Sequence, residues 1–167
     1  MKIYISSEDI QKKVKSIASR INRDYKGKIP IFIGVLNGAF VFLSDLIRYI
    51  KIDCEIDFLK LSSYGDRKIS TGNIKMLKEL NCEVKGRDII VVEDIIDSGL
   101  SIKFMKTLIE NQKPKSLKIA ALLLKKDISN LDFKIDYLGF TIENKFVVGY
   151  GLDYAQKYRN LKAIYVL

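Results

Sequence analysis

The segment Glu93-Asp94-Ile95-Ile96-Asp97-Ser98-Gly99-Leu100-Ser101 gathers three carboxylates and two hydroxyls around one glycine. It follows Ile89-Ile90-Val91-Val92, a β-branched run apolar on both faces, the pattern of a central strand in a parallel sheet. In open parallel sheets, ligands bind beyond the carboxyl ends of the strands. A tight Asp-Ser-Gly-Leu-Ser turn leading into a helix offers backbone N–H groups, two hydroxyls and the positive end of the helix dipole to a phosphate monoester. The glycine spacing and lysine of a Walker loop are absent, as are the three spaced glycines of a dinucleotide fingerprint. Two acids beside a phosphate are electrostatically unfavourable unless something occupies them. Carboxylates accept hydrogen bonds from vicinal ribose hydroxyls and hold hydrated Mg²⁺ through water. Phosphate in the turn and hydroxyls at the acids together describe a ribose 5-phosphate site. The plainer alternative is a capped helix with exposed acids at its start.

The elements that must position these residues belong to a chain of 167 residues, 48% hydrophobic and 29% charged, which is ordinary globular composition for one domain spanning 1–167. Histidine is absent. That excludes a Ser-His-Asp triad, a Cys-His pair and imidazole-ligated zinc or haem. Chemistry must come from carboxylates, lysine, tyrosine, hydroxyls, backbone amides or an oxygen-bound metal. The net charge is +9, but of 29 basic residues only six are Arg, and the 23 Lys are spread over most of the chain. Nucleic-acid readers concentrate their charge and favour the Arg fork, so no nucleic-acid partner is expected. Cys54 and Cys82 stand far apart in no metal-ligand spacing. Unpaired thiols, no leader and no apolar run near the roughly 20 residues needed to cross a bilayer predict a cytoplasmic protein without a membrane partner.

Along the chain, Ser6 or Ser7 caps a helix whose first turn carries Glu8 and Asp9, and Ile10, Val14, Ile17, Ala18 and Ile21 mark its buried face. Residues 30–36 form a buried strand, and Asn37-Gly38 turns into a helix carrying Phe40, Leu43, Leu46, Ile47 and Ile50 inward. Residues 54–63 alternate like a strand. Residues 64–75 are polar and rich in turn formers, predicting a long mobile loop. After the central strand, a helix carries Ile102, Met105, Leu108 and Ile109 at helical spacing and stops before Pro114. Residues 117–124 make another buried strand ending at Lys125-Lys126, and short strands near 136–140, 146–149 and 163–167 close the chain. Strands alternating with helices predict an α/β fold around a central, mostly parallel sheet flanked by helices.

Val91-Val92-Glu93-Asp94-Ile95-Ile96-Asp97-Ser98-Gly99-Leu100-Ser101 resembles the phosphoribosyl pyrophosphate signature of the type I phosphoribosyltransferases. Four further segments match hypoxanthine (hypoxanthine-guanine) phosphoribosyltransferases in order: Leu36-Asn37-Gly38-Ala39-Phe40, Ser63-Tyr64 with Ser70-Thr71-Gly72, Lys125, and Phe146 to Tyr154 with Arg159. The resemblance covers nearly the whole chain. It implies the type I phosphoribosyltransferase fold, with a small hood and a mobile lid loop over 64–75. It further implies that Glu93 and Asp94 bind ribose hydroxyls and the water shell of Mg²⁺, and that Asp97 is the general base or acid at the purine imidazole nitrogen. Ser98, Gly99, Leu100 and Ser101 would hold the 5-phosphate. Many relatives carry Thr and Lys where this chain has Ser98 and Leu100, so the Leu100 contribution reduces to its amide.

By the same resemblance, Lys125 donates to the exocyclic oxygen of a 6-oxopurine, a bond that an adenine amino group does not accept. Phe146 stacks on the purine and the Val147 main chain meets its edge. Asp153 lies near a second Mg²⁺ through water and near the purine two-position. Leu36, Asn37 and Gly38 match the pyrophosphate loop, which has a non-proline cis peptide in the family, and Arg159 clamps pyrophosphate. Ser63 and Tyr64 cover the reacting centre. The implied reaction is transfer of a phosphoribosyl group from phosphoribosyl pyrophosphate to hypoxanthine and guanine, by a homodimer or homotetramer. A xanthine- or guanine-preferring enzyme is one alternative. A nucleic-acid-binding regulator that senses phosphoribosyl pyrophosphate is the other.

Overall fold

The computed structural model describes residues 1–63, 74–127 and 131–167. Six strands form the main sheet: β2 (Ile31–Leu36), β3 (Glu55–Ser63), β4 (Ile74–Lys78), β5 (Asp88–Ile96), β6 (Ser116–Lys125) and β7 (Tyr137–Ile142). Their spatial order is β4-β3-β2-β5-β6-β7. Every neighbouring pair is parallel except β3–β4. A second, three-stranded antiparallel sheet joins the ends of the chain. In it β1 (Lys2–Ile5) pairs with β9 (Ile164–Val166), which pairs with β8 (Val147–Val148). This is the small hood.

Helices cover both faces of the main sheet because its strands are apolar on both. α1 (Ser7–Asp24) and α2 (Phe40–Arg48) lie on one face, over Phe32, Ile90, Val92, Ala120 and Leu122. The hood residues Ile5, Val147, Tyr150, Leu152 and Ile164 share that same core. α3 (Leu100–Glu110) seals the other face, where Ile102, Met105 and Ile109 meet Ile33, Val35, Leu59 and Val91. Ser6 is the cap of α1: its hydroxyl accepts from the Asp9 amide at 3.1 Å, and the buried face is Ile10, Val14, Ile17, Ala18 and Ile21, as the spacing predicts.

Two expectations are corrected. The inward face of α2 is Phe42, Leu43 and Leu46, with Ala39 just before the helix, while Phe40 is exposed and Ile50 lies past the end at Arg48. Positions 39, 42, 43 and 46 keep the i, i+3, i+4, i+7 spacing of one helical face, and Phe40 points off that stripe. The predicted loop over 64–75 also ends earlier, because Ile74 and Lys75 already belong to β4 and Ile74 stands opposite Ser63. Tyr64, Ser70, Thr71, Gly72 and the remainder of the predicted lid lie outside the described residues.

The β3–β4 pair is fastened at its base by Asp57. This buried carboxylate accepts from the amides of Phe58, Asn81 and Cys82, each at 2.8 Å, with the Lys78 ammonium at 3.7 Å. Burial raises its pKa, but the amides more than offset that and hold the group below the ordinary aspartate value. An edge strand is thereby tied to the chain that leads back into β5.

Candidate active site

The chain leaves β2 through α2 toward β3, and leaves β5 through α3 toward β6. The two crossovers diverge, so β2 and β5 flank a switch point, the place beyond the strands' carboxyl ends where open α/β sheets bind ligands. The functional residues predicted at Leu36–Gly38 and Glu93–Ser101 converge there. The Leu36–Asn37 peptide is cis. Gly38 lies so close to Asp94 that a Cβ on it would collide with the carboxylate. The loop after β2 is thus packed directly on the acidic pair of β5.

Glu93 is only 6% exposed, and burial pushes its carboxyl well above the usual range, with Asp94 next to it adding to the rise. Burial also raises Asp94, against the pull of the Ile95 amide, which donates to its Oδ1 at 2.8 Å, and of the Arg159 guanidinium. Two adjacent carboxyls taken out of water are stabilised by hydroxyl donors or a hydrated cation. Among the described residues no three acidic or thiol side chains converge to hold a metal ion by themselves.

Beyond the pair, Gly99 adopts φ 81° and caps α3 without any side-chain hydrogen bond, and no acid occupies the first turn of that helix. The Leu100 amide reaches the Ser98 hydroxyl only at 3.4 Å, and both serines are exposed. An eleven-residue helix with an uncapped N-terminus suits an anion. Asp97, its side chain 59% exposed, pairs through Oδ2 with Lys125 Nζ at 3.0 Å. Lys125 ends β6 and is only 12% exposed, so its ammonium is carried to Asp97 by a buried strand.

The fourth contributor is the segment after β8. Gly151 (φ 99°) lies against Gly38, where an added Cβ would strike the Gly38 carbonyl oxygen. Arg159 Nη1 donates to the Gly151 carbonyl at 2.7 Å. Its Nη2 sits 3.1 Å from both Asp153 Oδ1 and Gln156 Oε1. The guanidinium is therefore oriented by three acceptors of its own loop and lies near enough to influence Asp94.

Residues 4–155 match the phosphoribosyl transferase domain family. The hypoxanthine-guanine phosphoribosyltransferase of Bacillus subtilis (strain 168) is 48% identical over 166 residues, covering 99% of this chain and 92% of that protein. The chain belongs to the hypoxanthine-guanine phosphoribosyltransferase family.

A crystal structure of a hypoxanthine-guanine phosphoribosyltransferase from Bacillus anthracis superposes with a TM-score of 0.95 at 47% identity, over 100% of this chain and 98% of that one. Similarity extends to the bifunctional protein TilS/HprT of Listeria monocytogenes serotype 4b, 43% identical over 166 residues but only 26% of that longer protein. The fold of this family member is accordingly the type I phosphoribosyltransferase fold. None of these relatives is named as a xanthine-preferring enzyme or a regulator.

Against that family background, the sequence-predicted residues meet in two groups at the ends of β2, β5 and β6: Gly38 packs on Asp94 and Gly151, with Arg159 on Gly151 and Asp153, and Asp97 pairs with Lys125. Phe146 is 53% exposed and stands perpendicular to the Tyr154 ring, centroids 5.7 Å apart, so about half of its surface is open to a ligand. Val147 is buried in β8, consistent with a contribution from main chain alone. For Ser63 the description extends to its backbone, which pairs with Ile74. Lys126 is an exposed surface charge, as expected from its place beyond the strand.

Sequence reasoning missed Gly151 and Tyr150. The signal was present in Gly149-Tyr150-Gly151, where glycines flank an aromatic. All three residues have positive φ, Tyr150 at 52°.

Proposed function

We propose that the protein transfers the 5-phosphoribosyl group of phosphoribosyl pyrophosphate to hypoxanthine, and to guanine, giving IMP or GMP and pyrophosphate in purine salvage. The observation that carries this reading is the Lys125–Asp97 pair at 3.0 Å, standing at the same strand ends as the buried Glu93–Asp94 pair. One pair presents an ammonium donor and a carboxylate to a 6-oxopurine. The other accepts ribose hydroxyls.

In this reading the amides of Ser98, Gly99, Leu100 and Ser101 hold the 5-phosphate at the start of α3, and the hydroxyls of Ser98 and Ser101 add to them. The purine N9 lone pair attacks the anomeric carbon as the bond to pyrophosphate breaks and its electron pair leaves with the pyrophosphate. Asp97 accepts the proton released from the other imidazole nitrogen. Lys125 donates to the 6-oxo group, Phe146 stacks on the ring, the Val147 main chain meets its edge, and Asp153 stands toward the two-position. Leu36, Asn37 and Gly38 receive the pyrophosphate with Arg159, whose fixed guanidinium suits phosphate oxygens.

Glu93 and Asp94, two carboxylates without a third, suit Mg²⁺, which keeps several waters and takes one or two carboxylates plus substrate oxygens. Asp153 is the candidate for a second ion, also through water. Bound Mg²⁺ would neutralise charge on the departing pyrophosphate. Assembly as a homodimer or homotetramer and a cytoplasmic location belong to the same reading. Among the described residues no helix is long and apolar enough to cross a membrane.

The test is to incubate the protein with phosphoribosyl pyrophosphate, Mg²⁺ and each of hypoxanthine, guanine, xanthine and adenine. Nucleotide should form with hypoxanthine and guanine, not with adenine, and should cease when EDTA removes the metal. No product with any base would overturn the assignment. A second prediction concerns selectivity. Lys125→Ala should lower kcat/KM for hypoxanthine about 100-fold relative to any residual adenine activity, because a site built around a buried donor discriminates strongly against bases that cannot use it. Unchanged discrimination would remove Lys125 from that role.

A further inference from the structure

Tyr150 belongs to no part of the chemistry above, yet it is 3% exposed, sits at φ 52° and carries a hydroxyl that must be satisfied. Its backbone is pinned, with its amide donating to the Leu161 carbonyl at 2.8 Å and the Gly151 amide donating to the Arg159 carbonyl at 2.9 Å. Its hydroxyl donates to Asp45 Oδ2 at 2.6 Å, and Gln11 Nε2 donates to the same oxygen at 2.8 Å. The Tyr49 hydroxyl reaches Gln11 Oε1 at 3.3 Å. Burial first, and then the bond to Asp45, push the Tyr150 phenol far above its ordinary value, so it remains a donor at every working pH. The cluster ties α1, α2 and the loop after β8 together through partly buried polar atoms.

What the cluster spans gives it a consequence for the site. Asp45 lies on α2, which opens directly after the Leu36–Gly38 loop and has no side-chain cap to fix its N-terminus. Tyr150 immediately precedes Gly151, whose Cα faces the Gly38 carbonyl. The Gly151 carbonyl receives Arg159 Nη1 at 2.7 Å. One hydroxyl therefore sets the spacing between the α2 side and the Arg159 side of the proposed pyrophosphate subsite. Of the purine side, Lys125 is carried by β6, Asp97 directly follows β5 and Val147 lies in the β8–β9 pair, whereas Asp153 shares the loop of Arg159 and meets its Nη2 at 3.1 Å.

We infer that Tyr150, through its hydrogen bond to Asp45, is a positioning residue for the pyrophosphate subsite and not for the purine contacts of Lys125, Asp97 and Val147. The inference rests on the proposed phosphoribosyl transfer, and the experiment separates the two. In the pyrophosphorolysis of IMP, Tyr150→Phe should raise KM for pyrophosphate about 10-fold, the size expected when a buried bond to a charged acceptor is lost, and leave KM for IMP within about twofold. Asp45→Asn, which keeps the side-chain shape and one acceptor oxygen, should shift the same constant by less. The double variant should be no worse than Tyr150→Phe alone.

Thermal unfolding of each variant supplies a reading of stability independent of these constants. A lower Tm with both KM values unchanged, or both KM values raised alike, would overturn the positioning role and leave a structural one. If Tyr150→Phe fails to fold, Asp45→Asn decides by the same split between the two constants. A wild-type protein that makes no nucleotide from phosphoribosyl pyrophosphate and any purine overturns the functional reading itself, a result distinct from an active wild type whose Tyr150→Phe variant behaves identically.

Discussion

Asp97→Asn should lower turnover with hypoxanthine by about 100-fold or more, the lower end of what a positioned acid–base group contributes. The amide keeps the shape of the carboxylate but cannot take the imidazole proton. Asp97 also carries the ion pair to Lys125, so loss of that pair has to be separated from loss of proton transfer. Selectivity separates them. Lys125 is only 12% exposed, so losing its partner disturbs the donor to the 6-oxo group and also shifts discrimination against adenine, as in Lys125→Ala. A fall in turnover with that discrimination unchanged belongs to proton transfer. Binding of phosphoribosyl pyrophosphate should change less than about threefold, because the phosphate turn rests chiefly on backbone amides at the start of α3. Single-turnover kinetics together with calorimetric binding of phosphoribosyl pyrophosphate and Mg²⁺ measure the two quantities separately. Wild-type turnover in this variant would remove Asp97 from the acid–base role.

The parts of the site that were legible in the sequence are those whose residues are neighbours in the chain. The run Ile89–Val92, the acids after it and the turn into α3 lie within thirteen residues, and each announces itself by local pattern. The α1 cap and buried face are legible for the same reason. Contacts formed across the chain carry no such signal. Lys125 and Asp97 are 28 positions apart, and Tyr150 and Asp45 are 105 apart. The hood joins Lys2 to Val166: the short strand near 163–167 is legible by itself, but its pairing with β1 across the length of the chain is not.

Strand β4 escaped notice because Ile-Lys-Met-Leu-Lys breaks strict alternation. Its register against β3 shifts between Lys60 and Leu61, as a bulged edge strand allows. The misplaced inward face of α2 has a similar origin. Phe40 and Phe42 are equally apolar, and only the helix phase set by Ala39 decides which of them is buried.

Gly38→Ala should reduce kcat/KM for phosphoribosyl pyrophosphate by about 100-fold or more, for a reason that involves no chemistry of the side chain itself. The new methyl would land on the Asp94 carboxylate. On the opposite side the Gly38 carbonyl oxygen abuts Gly151, whose missing Cβ is what makes the approach possible. The loop is held between a side chain and a backbone, and the backbone segment is fixed by the Gly151 amide on the Arg159 carbonyl and by Arg159 Nη1 on the Gly151 carbonyl. Asp94 is therefore the group that yields. To do so it must leave the Ile95 amide that it accepts at 2.8 Å and turn away from the ribose position. A displacement of about 1 Å in a group that aligns reactants is sufficient for a loss near 100-fold. The accompanying overpacking, about 1–3 kcal/mol, would lower Tm by only several degrees in a chain of this size. Circular dichroism melts beside steady-state kinetics distinguish the outcomes. A folded variant with a modest fall in Tm and a large fall in kcat/KM supports the packed Gly38–Asp94 contact as a requirement of the site, and a variant of unaltered kcat/KM shows that the loop and the acidic pair can separate without consequence.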